Sequence, residues 1–505
     1  MDKKEIKRAK KEQKALERAE REQKFRRAKT WELFMYPTFS IGHNGFMFLM
    51  TLVSYYAAGI VGLGTVVASY IISGSRIFDG ITDPLIALII DKTKGKYGKI
   101  RILFASAYFT MSLATVLLFF TNHLVADGFK LFYFILLYIV FIIGYTLSGI
   151  AGNIGNNLLT NDPQQRPVFG GLNMIYSMLF YSGVTLFLTV YLTGKYSFSD
   201  VQLFHEMTIF TLIITAIGYG LSSIAIRSKD KIENFGEGKN TERVKFRDLW
   251  PMLKGNRPLQ LFVVTMATDK LSLQVSGNVV ANVMLFGIVI GNYAMLGITQ
   301  SLATIPNILV LFFGIRYAMK FGSKKGYVLS TWGCLISYGL LFLLLWLGDP
   351  TQIRMDNMGF MTLAFITLFT ISGAVRFVSS SFVQPMLADV VDYNTYKSNR
   401  YAPGLVSAIY TFIDKAVSSL QQTVIGLLLA FIGFRTAFPD VDTPYTEKIF
   451  WMTMFLNFGI LIISWTLSLI VMKYYELNKE RMVEIQEILE ERSKGNTDDP
   501  DLLAK

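Results

Sequence analysis

SYIISGSRIFDGITDPLIALIIDKTKGKYGK, residues 69–99, decides how the rest of the chain is read. The run is apolar enough to cross a membrane, yet it carries Asp79 and Asp83 four residues apart. A helix places such a pair on one face. Two carboxylates on one intramembrane face repel each other and lose their hydration. The arrangement therefore calls for a cation, and an intramembrane acid marks a functional site. Counted back from Asp91 at 1.5 Å per residue, the two acids lie roughly 18 and 12 Å along the helix axis. Thr82 adds a hydroxyl beside them, Gly74 and Gly80 permit close helix contact, and Pro84 weakens the local backbone ladder. Two carboxylates with neighbouring hydroxyls suit sodium. A shared proton relieves the same repulsion, so the pair suits either ion. The structural alternative is neutralisation by a basic residue such as Arg76 or Lys415.

Composition points to a membrane along the whole chain. Of 505 residues, 52 % are hydrophobic, 14 % aromatic and 17 % charged. Soluble domains carry about a quarter charged residues. The charges also sit in short blocks between apolar runs, which is a polytopic pattern. A single cysteine, Cys334, excludes an intrachain disulfide framework. The net charge of +12 does not read as nucleic-acid binding, because lysines and arginines cluster at the ends of apolar runs, where they set topology. Residues 1–30, MDKKEIKRAKKEQKALERAEREQKFRRAKT, have no apolar core and are not a cleavable signal peptide. They read as a basic cytosolic helix attracted to anionic lipid headgroups, or as a solvated arm. No aromatic platform is interleaved with their charges, as single-stranded nucleic acid would require.

Apolar runs able to cross about 30 Å of hydrocarbon lie near 34–56, 64–90, 102–121, 131–159, 168–192, 204–226, 259–287, 292–315, 326–347, 358–385, 402–432 and 447–475. The expected fold is an all-α membrane protein of twelve transmembrane helices in two six-helix bundles. Its parts are a basic arm (1–30), an N-terminal bundle (31–226), a linker (227–258), a C-terminal bundle (259–476) and a tail (477–505). Segments 91–101, 227–258 and 316–325 are rich in lysine and arginine, whereas 57–63 and 288–291 have none. The basic segments are therefore assigned to the cytoplasm, and both termini with them. Two matched halves joined by a long linker suggest a secondary transporter in a cell inner or plasma membrane, functional as a monomer. Gly-containing basic turns, DKTKGKYGK after the second span and RYAMKFGSKKG after the eighth, echo each other. No ring of acids or carbonyl filter suggests a channel. No metal or nucleophile cluster suggests an enzyme.

Further polar residues stand in spanning runs. The first span carries Ser40, His43 and Asn44, and the fourth carries Tyr145, Thr146, Gly149, Asn153 and Asn156. Tyr145, Gly149, Asn153 and Asn156 lie close to one helical stripe, which suits a neutral, hydroxyl-rich ligand or, more simply, interhelical hydrogen bonding. The eleventh span holds Thr411, Asp414 and Lys415. An intramembrane lysine needs a partner, either the Asp79/Asp83 pair when the cation is absent or the adjacent Asp414. Asp269 and Lys270 in the seventh span read as a coupling or structural network. Asp91, Lys92, Arg101, Asp389 and Asp392 mark cytosolic ends, where ion pairs could gate the cytoplasmic side or serve as ordinary surface charge.

Two strings resemble the glycoside–pentoside–hexuronide:cation symporters of the major facilitator superfamily. One is R-x-x-D-x-x-x-D-P followed by D-x-T-x-x-x-x-G, here Arg76, Asp79, Asp83, Pro84, Asp91, Thr93 and Gly98. The other is M-L-A-D-x-x-D-Y, here Met386, Leu387, Ala388, Asp389, Asp392 and Tyr393, followed by Lys415. The resemblance covers roughly residues 31–475. It implies the major facilitator fold, with Asp79, Asp83, Thr82 and Thr146 as cation ligands and Lys415 facing them with Thr411 one turn away. The candidate substrate contacts are His43, Asn44, Tyr145, Gly149, Asn153, Asn156, Arg376, Thr411 and Lys415. The family's melibiose-type members carry an acid where this chain has His43, and a D-I-P string where it has Gly149-Ile150-Ala151. The departure points from a galactoside towards a uronide, a modified glycoside or a more apolar conjugate. The expected function is sodium- or proton-coupled symport of a small glycoside, pentoside or hexuronide, with no other cofactor. The alternatives are a carrier of an amphiphile or lysolipid and a non-transporting sensor or scaffold.

Overall fold

Lipid offers the backbone no hydrogen-bond partners, so a chain this apolar can cross it only as closed barrel or helix. Every regular element among the described residues is helical. The structure is a computed structural model and describes residues 27–75, 98–160, 162, 165–231, 252–356, 358–398 and 403–493. Asp79, Thr82, Asp83, Asp91 and Lys92 lie outside the described residues, as do most of the basic arm and of the linker.

In chain order the principal helices are α1 (Phe39–Thr51), α2 (Thr65–Ser75), α3 (Ile100–Thr121), α4 (Asp127–Leu159), α5 (Gln165–Leu186), α6 (Val201–Ile226), α7 (Arg257–Ser276), α8 (Val279–Val289), α9 (Ala294–Ala318), α10 (Ser323–Leu347), α11 (Phe360–Ser381), α12 (Val383–Ser398), α13 (Pro403–Phe431), α14 (Glu447–Lys473) and α15 (Lys479–Ser493). Among the described residues, seven helical spans are long and apolar enough to cross a membrane. The bent pair α7 and α8 makes an eighth if it is one span, with an angle of 54° between its halves. The break has a local cause. Gly277 ends α7, and the Asn278 side chain accepts the Val280 amide to start α8 again.

The helices are sorted for lipid rather than for water. On α6, Ile209, Ile213, Ile217 and Ile224 are all at least half exposed, while Thr208, Thr211, Thr215 and Ser222 are buried. Apolar side chains face outward and small hydroxyl residues face neighbouring helices, as expected where lipid is as apolar as leucine. Glycines set the closest approaches. A Cβ on Gly144 of α4 would stand 2.8 Å from Met111 Cγ of α3.

The chain forms two compact units. The first comprises Met1–Met50, Ile81–Tyr181 and Phe204–Lys239, and the second Thr51–Gly80, Ser182–Leu203 and Asn240–Lys505. Tyr36, Phe39, Phe104 and Tyr219 pack at the centre of the first, with the Tyr36 hydroxyl donating to Gly152 O at 2.9 Å. In the second, Phe262, Met266, Tyr327, Met386 and Val390 form one buried cluster. Residues 51–80 and 182–203 are tied into that second unit. Thr65 donates its hydroxyl to Phe434 O at 2.8 Å, Ser73 bonds Thr423 Oγ1 at 2.8 Å, and Tyr55 donates to Pro439 O at 2.7 Å.

One boundary differs from expectation. The tenth apolar run was bounded near 385, but helix continues with a slight break at Phe382 to Ser398. The extra turns are held by α15, within the charged tail: Gln486 Nε2 donates to Asp392 Oδ2 at 2.6 Å, and Arg492 donates to Tyr396 O at 2.9 Å.

Candidate functional site

In the first unit, α1 and α4 bring His43, Tyr145 and Gly149 together. The imidazole stacks on the Tyr145 ring, with centroids 4.1 Å apart. Its Nδ1 is 3.2 Å from Ser148 Oγ, which in turn lies 2.5 Å from the Tyr219 hydroxyl. Gly149 lies beside the stack, where a Cβ would meet His43 Cε1 at 3.4 Å, an ordinary contact. Asn44 points elsewhere and donates to Ser177 Oγ at 2.9 Å. The proposed stripe on α4 is not uniform. Thr146 is buried, Asn153 is exposed, and the Asn156 side-chain carbonyl is buried with no hydrogen-bond partner.

Arg101 is placed within the same unit against Asp230, 3.4 Å from its carboxylate. Asp230 also accepts the amides of Lys99, Ile100 and Arg101 at 2.8 to 3.0 Å. It thus caps the start of α3 from a distant part of the chain, a role the sequence does not announce because the cap is not local. Gly98 stands against that carboxylate with φ +93°, a conformation that favours glycine.

The second unit contains a cavity of about 400 Å³. Its walls come from α7, α10, α11, α12, α13 and α14, and the charged residues are Asp269, Lys270, Arg376 and Asp414. The size falls within the usual range for small-molecule sites, and the convergence of ionic groups in an apolar bundle is what such a site requires.

The charges are sorted by helix geometry. Lys270 Nζ lies 3.4 Å from Asp414 Oδ1. Asp414 thus reaches across to α7, a partner that the sequence does not announce, while consecutive helical residues such as Asp414 and Lys415 diverge by about 100°. Asp269 is buried and takes no part in that pair. It accepts hydroxyls from Tyr327, from Ser464 at 2.8 Å and from Ser468 at 2.7 Å. Ser464 and Ser468 were missed in the sequence. Their spacing of four on the apolar run ILIISWTLSLIVMK was the available signal. Arg376 is half-buried in the cavity wall and hydrogen-bonds Tyr338. On α13, Thr411 is exposed and Lys415 half-buried. Asp389 hydrogen-bonds Ser323 at the foot of α10, while Asp392 is engaged by Gln486. Among the described residues, no three His, Cys, Asp or Glu side chains are grouped to hold a metal ion.

The profile of the family described as MFS/sugar transport protein matches residues 35–479. The chain belongs to that family. A member of the MFS/sugar transport family is a secondary-active transporter and not an enzyme, and this one is a multi-pass membrane protein that moves a small solute by alternating access. It is 22 % identical over 449 residues to the "Uncharacterized symporter YnaJ" of Bacillus subtilis (strain 168), covering 88 % of this chain and 91 % of the relative. It is 24 % identical over 394 residues to the "Putative glycoside/cation symporter YagG" of Escherichia coli (strain K12), covering 77 % and 80 %. Its fold is similar to that of the crystal structure of nucleoside transporter NupG, with a TM-score of 0.53, 14 % identity, and coverage of 88 % of this chain and 98 % of that one.

Proposed function

We propose that this chain is a sodium- or proton-coupled symporter of a small glycoside, pentoside or hexuronide, of the glycoside–pentoside–hexuronide:cation type. In this reading twelve spans form two six-helix bundles, with both termini cytoplasmic. The observation that carries solute binding is the ionic cavity of the second unit, where Lys270, Asp414, Asp269 and Arg376 converge inside an otherwise apolar helical assembly. Cation coupling is supported by the Asp79–Thr82–Asp83 string and by the similarity to YagG, a putative glycoside/cation symporter.

The mechanism follows from charge. A cation bound between Asp79 and Asp83, with Thr82 and Thr146 as further oxygen ligands, removes the repulsion of two dry carboxylates. His43, Asn44, Tyr145, Gly149, Asn153, Asn156, Arg376, Thr411 and Lys415 are the proposed substrate contacts. Asp91, Lys92, Arg101, Asp389 and Asp392 are the proposed gate charges. Coupling requires each ligand to strengthen the other's binding by the same factor. Four ionic side chains in the cavity favour a hydrophilic cargo over an amphiphile.

The test is uptake into proteoliposomes under an imposed sodium or proton gradient, across a panel of glycosides, pentosides, hexuronides and lysolipids. Asp83→Ala is expected to abolish gradient-driven uptake while remaining folded. Wild-type uptake rates in Asp83→Ala would refute the cation assignment.

A further inference from the structure

The cavity in the second unit holds two cations and two carboxylates, but their pairing is uneven. Asp414 is engaged by Lys270 at 3.4 Å. Asp269 is surrounded by the hydroxyls of Tyr327, Ser464 and Ser468. Arg376 is left facing neutral groups. Among the described residues, the Tyr338 hydroxyl and the Cys334 thiol lie near it, and the Phe377 ring centroid is 5.7 Å from the guanidinium carbon. A guanidinium cannot shed its charge as an amine can. Arg376 also lies sixteen residues into α11, about 24 Å from the start of the helix at 1.5 Å per residue. A permanent positive charge inside an apolar helical bundle calls for an anion.

The same stretch of wall supplies neutral polar groups. Ser379, Ser380 and Gln384 follow Arg376 by three, four and eight residues and line the cavity with it, and Gln274 lines it from α7. A planar fork of donors matches a carboxylate, and hydroxyl and amide groups match sugar hydroxyls. Among the described residues, both acids of the cavity already have partners, so an acid carried by a ligand would complete the pairing of Arg376.

We propose that this wall is a carboxylate subsite: Arg376 grips the acid group of a sugar carboxylate, while Ser379, Ser380, Gln384 and Gln274 meet its hydroxyls. Arg376 thereby selects an acidic sugar against its neutral counterpart. Only the statement that this ligand is cargo rests on the symport reading. Binding itself does not.

The experiment is calorimetric titration of the purified full-length protein with glucuronate, with its methyl ester and with succinate. Glucuronate is expected to bind about tenfold to hundredfold tighter than the ester, the usual effect of one charge-assisted pair. Arg376→Gln is expected to remove that difference, while Arg376→Lys restores part of it. A thermal melt of each variant establishes that it is folded, and the wild-type comparison of acid with ester needs no variant at all. Equal affinity for acid and ester overturns the proposal, as does Arg376→Gln with undiminished preference for the acid. Succinate binding as tightly as glucuronate overturns the assignment to a sugar. Gradient-driven uptake separates the two readings. Arg376-dependent glucuronate binding without any such uptake leaves the subsite standing and removes the symporter. Driven uptake of a neutral glycoside, with acid and ester bound alike, does the reverse.

Discussion

Lys270 Nζ reaches Asp414 Oδ1 at 3.4 Å and so joins α7 to α13 across the cavity wall. Tyr410, one turn before Asp414, also hydrogen-bonds its carboxylate. The pair is part buried, with side-chain exposures of 38 % for Lys270 and 24 % for Asp414. Its strength therefore lies between that of a solvent-screened surface pair and that of a dry one.

Removal of either partner leaves a charge without its counterion. Lys270→Ala and Asp414→Ala are each expected to cost about 1–2 kcal/mol, below the loss for a fully buried pair. The double variant is expected to recover part of that loss, with a coupling of about 0.5 kcal/mol or more. Thermal melts of the four proteins in one detergent measure it. Strict additivity would show that the two side chains do not interact.

Asp269 predicts a different pattern. It gathers three hydroxyls, so Asp269→Ala strands three buried donors at once. A loss of about 3 kcal/mol or more is expected, against about 1 kcal/mol for Ser464→Ala. Asp269→Asn keeps an acceptor oxygen and should fall between them. Melting temperatures in that order support the assignment, and a Ser464→Ala loss equal to that of Asp269→Ala contradicts it.

The start of α3 offers a third measurement. Asp230→Ala removes the carboxylate that accepts the amides of Lys99, Ile100 and Arg101, and a loss of about 1–2 kcal/mol is expected. Gly98→Ala forces a side chain into the left-handed region, at about 1–2 kcal/mol, and sets its Cβ 2.1 Å from Asp230 Oδ2. Hydrogen exchange at residues 99–103 should rise in both variants. Unchanged protection there would show that the cap is dispensable.

Much of the helical layout is legible in the run lengths. The apolar segments near 102–121, 131–159 and 326–347 reappear as α3, α4 and α10, because lipid-crossing length and backbone satisfaction allow little else. Span seven was read as one run but is bent at Gly277-Asn278, where a side-chain cap interrupts the ladder. The continuation of α11 into α12 was hidden for the opposite reason. Its polar turns are stabilised by α15, a partner far along the chain. At the candidate sites, Asp269, Lys270, Asp414 and Arg376 could be singled out as ionic residues in apolar runs, but their partners could not. His43 and Tyr145 were likewise named separately, and their stacking depends on how α1 and α4 approach.

By itself, the sequence determined that this protein crosses a membrane repeatedly as helices, because hydrophobic length and the need to satisfy every backbone amide are properties of single segments. It also marked the acids and bases too costly to bury without purpose. Only the tertiary structure decided which charge neutralises which. Coulomb energy and hydrogen bonding depend on separations of a few ångströms between helices distant along the chain, and so Asp414 turns to Lys270, Asp269 to three hydroxyls, and Arg376 to an open cavity.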